Sequence, residues 1–180
     1  MDTNKQKTQI NGFDKLIVKL KTEDARYATL SRAIQIIYWI FIPLFFLITL
    51  LEYTETKESD QLIGGAFFII SFLIFAIFFG NYYKEYKYVD YSLPTIQMLK
   101  KAAYRYKPFQ LKSLWVLLAI VLMDGGLTFK REFNETVLDV QIYFIGLMVV
   151  ALIVGLIIWY FKYKPLRDEA LKLIAELEGK

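Results

Sequence analysis

A chain of 180 residues is one domain by length, and its 56% hydrophobic and 17% aromatic content lies above the range of ordinary soluble domains. Cysteine and histidine are both absent, which excludes disulfides, thiolate chemistry and the commonest general base and metal ligand. The net charge of +4 comes with basic residues beside aromatics at the ends of apolar runs, as in YYKEYKYVDY (82–91), and that pattern marks a membrane boundary rather than a nucleic-acid surface.

The elements follow in chain order. Residues 1–32 form a basic N-terminal segment in which Phe13, Leu16, Ile17 and Leu20 make a helical stripe behind a cap at Asn11. The first apolar run, 33–51, follows this charged segment and has no small-residue cleavage site. It is expected to act as its own insertion signal and to stay in the membrane. With no cysteine and no glycine after the first methionine, no lipid anchor is expected either.

Three further runs, 62–83, 113–129 and 140–161, likewise carry one charge or none. A hydrocarbon core needs about 20 helical residues and offers the backbone no hydrogen-bond partner, so all four runs are expected to be transmembrane α-helices. Strands do not fit, because the runs are apolar all round rather than alternating. In span one, Pro43 leaves the carbonyl of Trp39 without its helical partner and predicts a kink.

The connections are short and acidic on one side: Glu52, Glu55, Glu58 and Asp60 in 52–61, and Glu132, Glu135 and Asp139 in 130–139. On the other side lie the N-terminal segment, the loop 84–112 and the C-terminal segment 162–180. Those three hold 19 of the lysines and arginines, against 3 in the short connections. The positive-inside rule then places both termini in the cytoplasm of a plasma (inner) membrane protein.

The loop 84–112 is expected to contain a helix capped by Ser92, with Ile96, Leu99, Ala103 and Tyr106 on one face and its end before Pro108. Lys100, Lys101 and Arg105 lie largely off that stripe and are candidates for contact with anionic lipid or a partner. After Pro165, the stripe Leu166, Ala170, Leu173, Ile174 and Leu177 predicts a C-terminal amphipathic helix. The three stripes have three outlets: the headgroup region, each other in a small bundle, or a partner protein.

Small residues are the cues for helix packing in lipid. Ala76 and Gly80 in span two, and Ala151 and Gly155 in span four, have the small-xxx-small spacing. Gly64 and Gly65 begin span two while Gly125 and Gly126 end span three. The two pairs are expected to let these spans approach closely near the outer surface, or else simply to loosen the helix ends.

Asp124 is the one acid inside a run. A mid-bilayer aspartate costs about 2.5–3.5 kcal/mol, against roughly −3 to −5 kcal/mol from the leucine, isoleucine, valine and phenylalanine residues of span three, so the helix still inserts. Asp124 is then either a boundary residue, hydrated or paired with Lys130 or Arg131, or a cation or proton site. No nucleophile–base pair, phosphate loop or nucleophile elbow accompanies it, and no enzyme, metal or cofactor is expected.

The expected fold is an all-α integral membrane protein, four transmembrane helices in two hairpins (33–161) with amphipathic cytoplasmic helices. The expected function is a non-enzymatic accessory, scaffold or regulatory protein that engages membrane lipids, a protein partner or a further copy of itself, and no nucleic acid. The alternative is a small oligomeric channel or transporter component that uses Asp124.

Overall fold

The computed structural model describes residues 3–129 and 137–179, with side chains described for 13–129 and 138–179. It contains helices α1 (Thr3–Thr56), α2 (Ser59–Lys87), α3 (Thr95–Arg105), α4 (Leu114–Thr128), α5 (Val137–Ile158) and α6 (Lys164–Leu177). A 3₁₀ turn, Leu111–Ser113, leads into α4, and a π-helical turn, Trp159–Tyr163, joins α5 to α6. Among the described residues there is no strand, and four helices are long and apolar enough to cross a membrane. The protein is an all-α membrane protein.

α1 joins what the sequence suggests are two elements. No glycine or proline interrupts residues 13–42, so the N-terminal stripe and span one form one helix of 54 residues, which also runs through Pro43. Asn11 lies inside it and starts no helix. At 1.5 Å per residue the helix is about 80 Å long, far more than a hydrocarbon core of about 30 Å. It is therefore both a membrane span and a strut outside the membrane.

Only residues 57–58 separate α1 from α2. Lys57 adopts a left-handed conformation, φ 58°, and its N–H donates to Tyr53 O at 2.8 Å to close the turn. The two helices are then zipped by rings. Tyr38, Phe41 and Phe45 on α1 meet Phe68, Phe72 and Phe75 on α2, with Tyr38 stacked on Phe75 at 4.8 Å and Phe45 edge-on to Phe72 at 4.8 Å. The rings recur three and four residues apart, so each set lies on one helix face.

α2 is the central helix, and α4 packs on its other side. Ser71 Oγ donates to Ala119 O at 2.7 Å in a buried contact. The glycines divide differently from the sequence expectation. Gly64 and Gly126 do let α2 and α4 approach: a Cβ on Gly64 would lie 3.1 Å from Gly126 O, and one on Gly126 would lie 3.0 Å from the Phe68 ring. Gly65 instead faces α1, where a Cβ would overlap the Thr49 side chain, and a Cβ on Gly125 meets nothing within 4 Å. Ala76 is fully buried and Gly80 lies against Gln35 of α1. Ala151 and Gly155 are exposed within the chain, and a Cβ on Gly155 would meet nothing within 4 Å, so their small-xxx-small spacing is not used between the helices of this chain among the described residues.

Among its described side chains, α5 has no buried residue. It touches the rest only through partly buried side chains such as Val140 and Phe144, which lean on the Phe68, Phe72 and Leu127 cluster.

The remaining pieces gather at the end opposite the α1–α2 turn. Leu16, Leu20 and Ala28 of α1, Tyr82 and Tyr86 of α2, Met98, Leu99, Ala102 and Ala103 of α3, and Leu166, Ala170 and Ile174 of α6 form one core. Of the three outlets open to the stripes, the structure takes mutual packing. We call this unit the basal bundle. α3 begins after Pro94 rather than at Ser92, since the residue before a proline resists helix. Ser92 donates instead through its N–H and Oγ to Asp90 Oδ1 at 2.9 and 2.6 Å.

Candidate functional site

Asp24 lies within the basal bundle and is 2% exposed. It stands four residues after Leu20 and four before Ala28, on the buried face that Leu16 begins, so the α1 helix carries its carboxylate straight inward. Arg105, 8% exposed, comes in from the last turn of α3. Its Nη2 donates to Asp24 Oδ2 at 2.8 Å. Tyr91 donates to the same oxygen at 2.5 Å, and Tyr106 donates to Oδ1 at 2.5 Å. One acid thus holds three donors from the region between α2 and α4.

The end of α3 explains why the cluster is so ordered. Its last carbonyls have no intrahelical donor, and burying them bare costs about 1–3 kcal/mol each. Arg105 O accepts from Tyr86 Oη at 3.0 Å and from Gln110 Nε2 at 2.9 Å, and Tyr106 O accepts from Trp159 Nε1 at 2.8 Å. Helices α2 and α3 and the π-turn therefore converge on two residues.

Around this core, Tyr27 stacks on Tyr86 at 4.4 Å and meets Tyr163 edge-on at 5.7 Å, while Tyr163 stacks on Tyr106 at 5.6 Å. Lys162 pairs with Glu23 at 2.7 Å, and Lys112 pairs with Glu85 while lying over the Tyr82 ring at 4.2 Å.

Burial, before any neighbouring charge, raises the pKa of Tyr27, Tyr86, Tyr91, Tyr106 and Tyr163 above the ordinary tyrosine value; for Tyr106 the Asp24 carboxylate adds to this. The folded state therefore holds these protons more tightly than the unfolded chain does. Their contribution to stability is complete below about pH 10, the unfolded value, and is lost as pH rises from there towards the folded values. The bundle is expected to lose stability in this window. In a pH titration, the phenolate absorbance of these residues should then appear together with loss of helical circular dichroism. Phenolate formation with full helicity would show the rings to be freely ionisable.

The sequence-derived candidates are placed unequally. Arg105 is not available to lipid, because burial and the Asp24 pair turn it inward, which corrects its reading as a surface contact. Lys100 is exposed but pairs with Glu178 at 2.7 Å, and Lys101 is exposed. Both border an open cleft of about 430 Å³ whose wall also carries Glu85 and Asp90, so its charge is mixed. Asp124 is half-buried, and its Oδ1 has no hydrogen-bond partner among the described residues. Lys130 and Arg131, its expected partners, lie outside the described residues. Gln61 at the start of α2 is fully buried, neither amide atom has a hydrogen-bond partner among the described residues, and no expectation covered it.

Asp24 was missed as well, although a signal existed: it interrupts the stripe Leu16, Leu20, Ala28 as its one charged member. Among the described residues no group of acidic side chains is arranged to hold a metal ion.

Comparison with known families matches residues 16–126 to a model described as mechanosensitive ion channel inner membrane domain 1. The matched stretch includes Asp24, Arg105 and α2, α3 and nearly all of α4, and stops before α5. No curated protein and no solved structure matches.

Proposed function

The chain belongs to the mechanosensitive ion channel inner membrane domain family, and from that premise we propose that it is a tension-responsive membrane module that forms no pore by itself. It is a multi-pass inner-membrane protein related to mechanosensitive channels, and the family is of channel type rather than an enzyme family.

The observation that carries the reading is the exposure of the spans. Among the described side chains α5 has none fully buried, and the apolar part of α1 buries little, so lipid is their main solvent in this reading. A stretched bilayer thins, and a helix longer than the local hydrocarbon thickness accommodates by tilting. α5, with 22 residues, is about 33 Å long and already matches or exceeds an average core of about 30 Å.

The same helices argue against a pore within one chain. Ser71 is spent on Ala119 O and Gln35 on Arg32, so these spans hold few polar groups with which to line water. Conduction requires additional subunits, and the module's partner in this reading is a channel assembly or further copies of this chain. The charge asymmetry supports a cytoplasmic position for the basal bundle in this reading.

The test is patch recording and spin labelling of the purified chain in liposomes, with lysophosphatidylcholine added to one leaflet to create tension. The expected result is no unitary current together with a change in distance between labels on α5 and α1. Stretch-activated currents from the chain alone would assign it a pore, and unmoved labels would remove the tension reading.

A further inference from the structure

We infer that the π-turn Trp159–Tyr163 is a hinge through which α5 acts on the Asp24–Arg105 pair, so that movement of the lipid-exposed helix unlocks the basal bundle. The inference rests on the tension reading and adds which part moves and what it releases.

The turn has a local cause. Pro165 has no N–H to donate to Phe161 O, and its ring crowds that carbonyl, so the α-helical ladder cannot pass through this point unchanged. Lys164 N–H reaches instead to Trp159 O, five residues back, which widens the helix by one residue. A π-turn in a long helix is a place where direction changes with little loss of packing, because its ladder is already broken. On one side of it lies α5, with no buried residue among its described side chains; on the other lies α6, whose Leu166, Ala170 and Ile174 are buried in the bundle. A free arm meets an anchored one at the hinge.

The hinge residues are also the ones that touch the lock. Trp159 holds Tyr106 O, Tyr163 stacks on the Tyr106 ring, and Lys162 holds Glu23, the neighbour of Asp24 in sequence. Tyr106 in turn donates to Asp24 beside Arg105. Rotation of α5 about the turn therefore pulls first on Tyr106 and then on the shared carboxylate. A buried ion pair suits such a lock, since it is stable only while its geometry is complete and fails abruptly when one partner shifts.

The chain has no cysteine, so introduced labels are unique. Val18→Cys with Val150→Cys reports α5 against the bundle, and Val18→Cys with Lys101→Cys reports α1 against α3 across the lock; all three positions are exposed. On adding lysolipid to one leaflet of liposomes, both distances are expected to shift. In Trp159→Phe, which keeps the ring and removes the indole N–H, the α5 shift should remain and the α1–α3 shift should be lost. In Pro165→Ala, which restores the missing donor, α5 and the bundle should move as one body and the Val18–Val150 shift should be lost. An α5 shift in the parent with an unchanged α1–α3 distance, or variants that respond like the parent, would overturn the hinge and leave the tension reading standing. No shift in either pair would overturn the tension reading itself.

Discussion

Asp24→Ala should destabilise the protein by about 3–5 kcal/mol, the cost of leaving one partner of a buried ion pair alone. The variant leaves Arg105 charged at 8% exposure and takes the acceptor away from Tyr91 and Tyr106. For a chain of this length such a loss corresponds to a fall of roughly 10 °C in melting temperature. The pair need not be a net source of stability even so, because desolvating two charges offsets most of their attraction. The double variant Asp24→Leu/Arg105→Met is therefore expected to regain part of the loss. Adding Tyr91→Phe and Tyr106→Phe should recover more by removing the hydroxyls left without an acceptor, each about 1–3 kcal/mol. Thermal melts in detergent decide it: Asp24→Ala melting with the parent would mean that the cluster bears no load.

A second large effect is expected at the glycines, where the structure separates neighbours that look equivalent. Gly65→Leu should force α1 away from α2, because even a methyl group there overlaps Thr49, whose branched side chain has no flexible end with which to yield. Gly126→Leu should part α2 from α4, with the Phe68 ring and Gly64 O both about 3 Å from the new Cβ. Overpacking of this kind costs typically 1–3 kcal/mol and more where backbone must move. Gly125→Leu, one residue away, enters open space and should change little. Helix-pair stability in detergent, read by protease resistance or melting, should rank Gly65→Leu worst and Gly125→Leu near the parent. Equal losses at Gly125 and Gly126 would contradict the α2–α4 contact.

The membrane helices were legible because lipid leaves the backbone a single way to satisfy itself, so length and apolarity alone identify a span. The stripes at Leu16, Leu99 and Ala170 were legible as faces, while what covers them was not, since a face has the same period whether it meets lipid or another helix. Arg105 was misplaced for a related reason. The apolar stripe in the sequence runs through Leu99, Ala103 and Tyr106, but the buried face of α3 is wider and takes in Met98, Ala102 and Arg105. The glycine pairs were legible as close approaches without their direction, because adjacent helical residues point about 100° apart and one partner can differ for each. The π-turn left only the signal of Pro165, which also fits an ordinary helix start.

The unbroken α1 has a mechanical consequence. The part of it preceding residue 33 is about 45 Å long, so a tilt of about 10° in the bilayer would sweep its far end through about 8 Å if it stays straight. A bilayer changes thickness by far less than that. On the tension reading, with the membrane surface at residue 33, the helix would act as an amplifier with its fulcrum there, and Asp24 would ride on the arm about 14 Å beyond that fulcrum. There a tilt of the same size amounts to about 2 Å, roughly the margin between a made and a broken hydrogen bond.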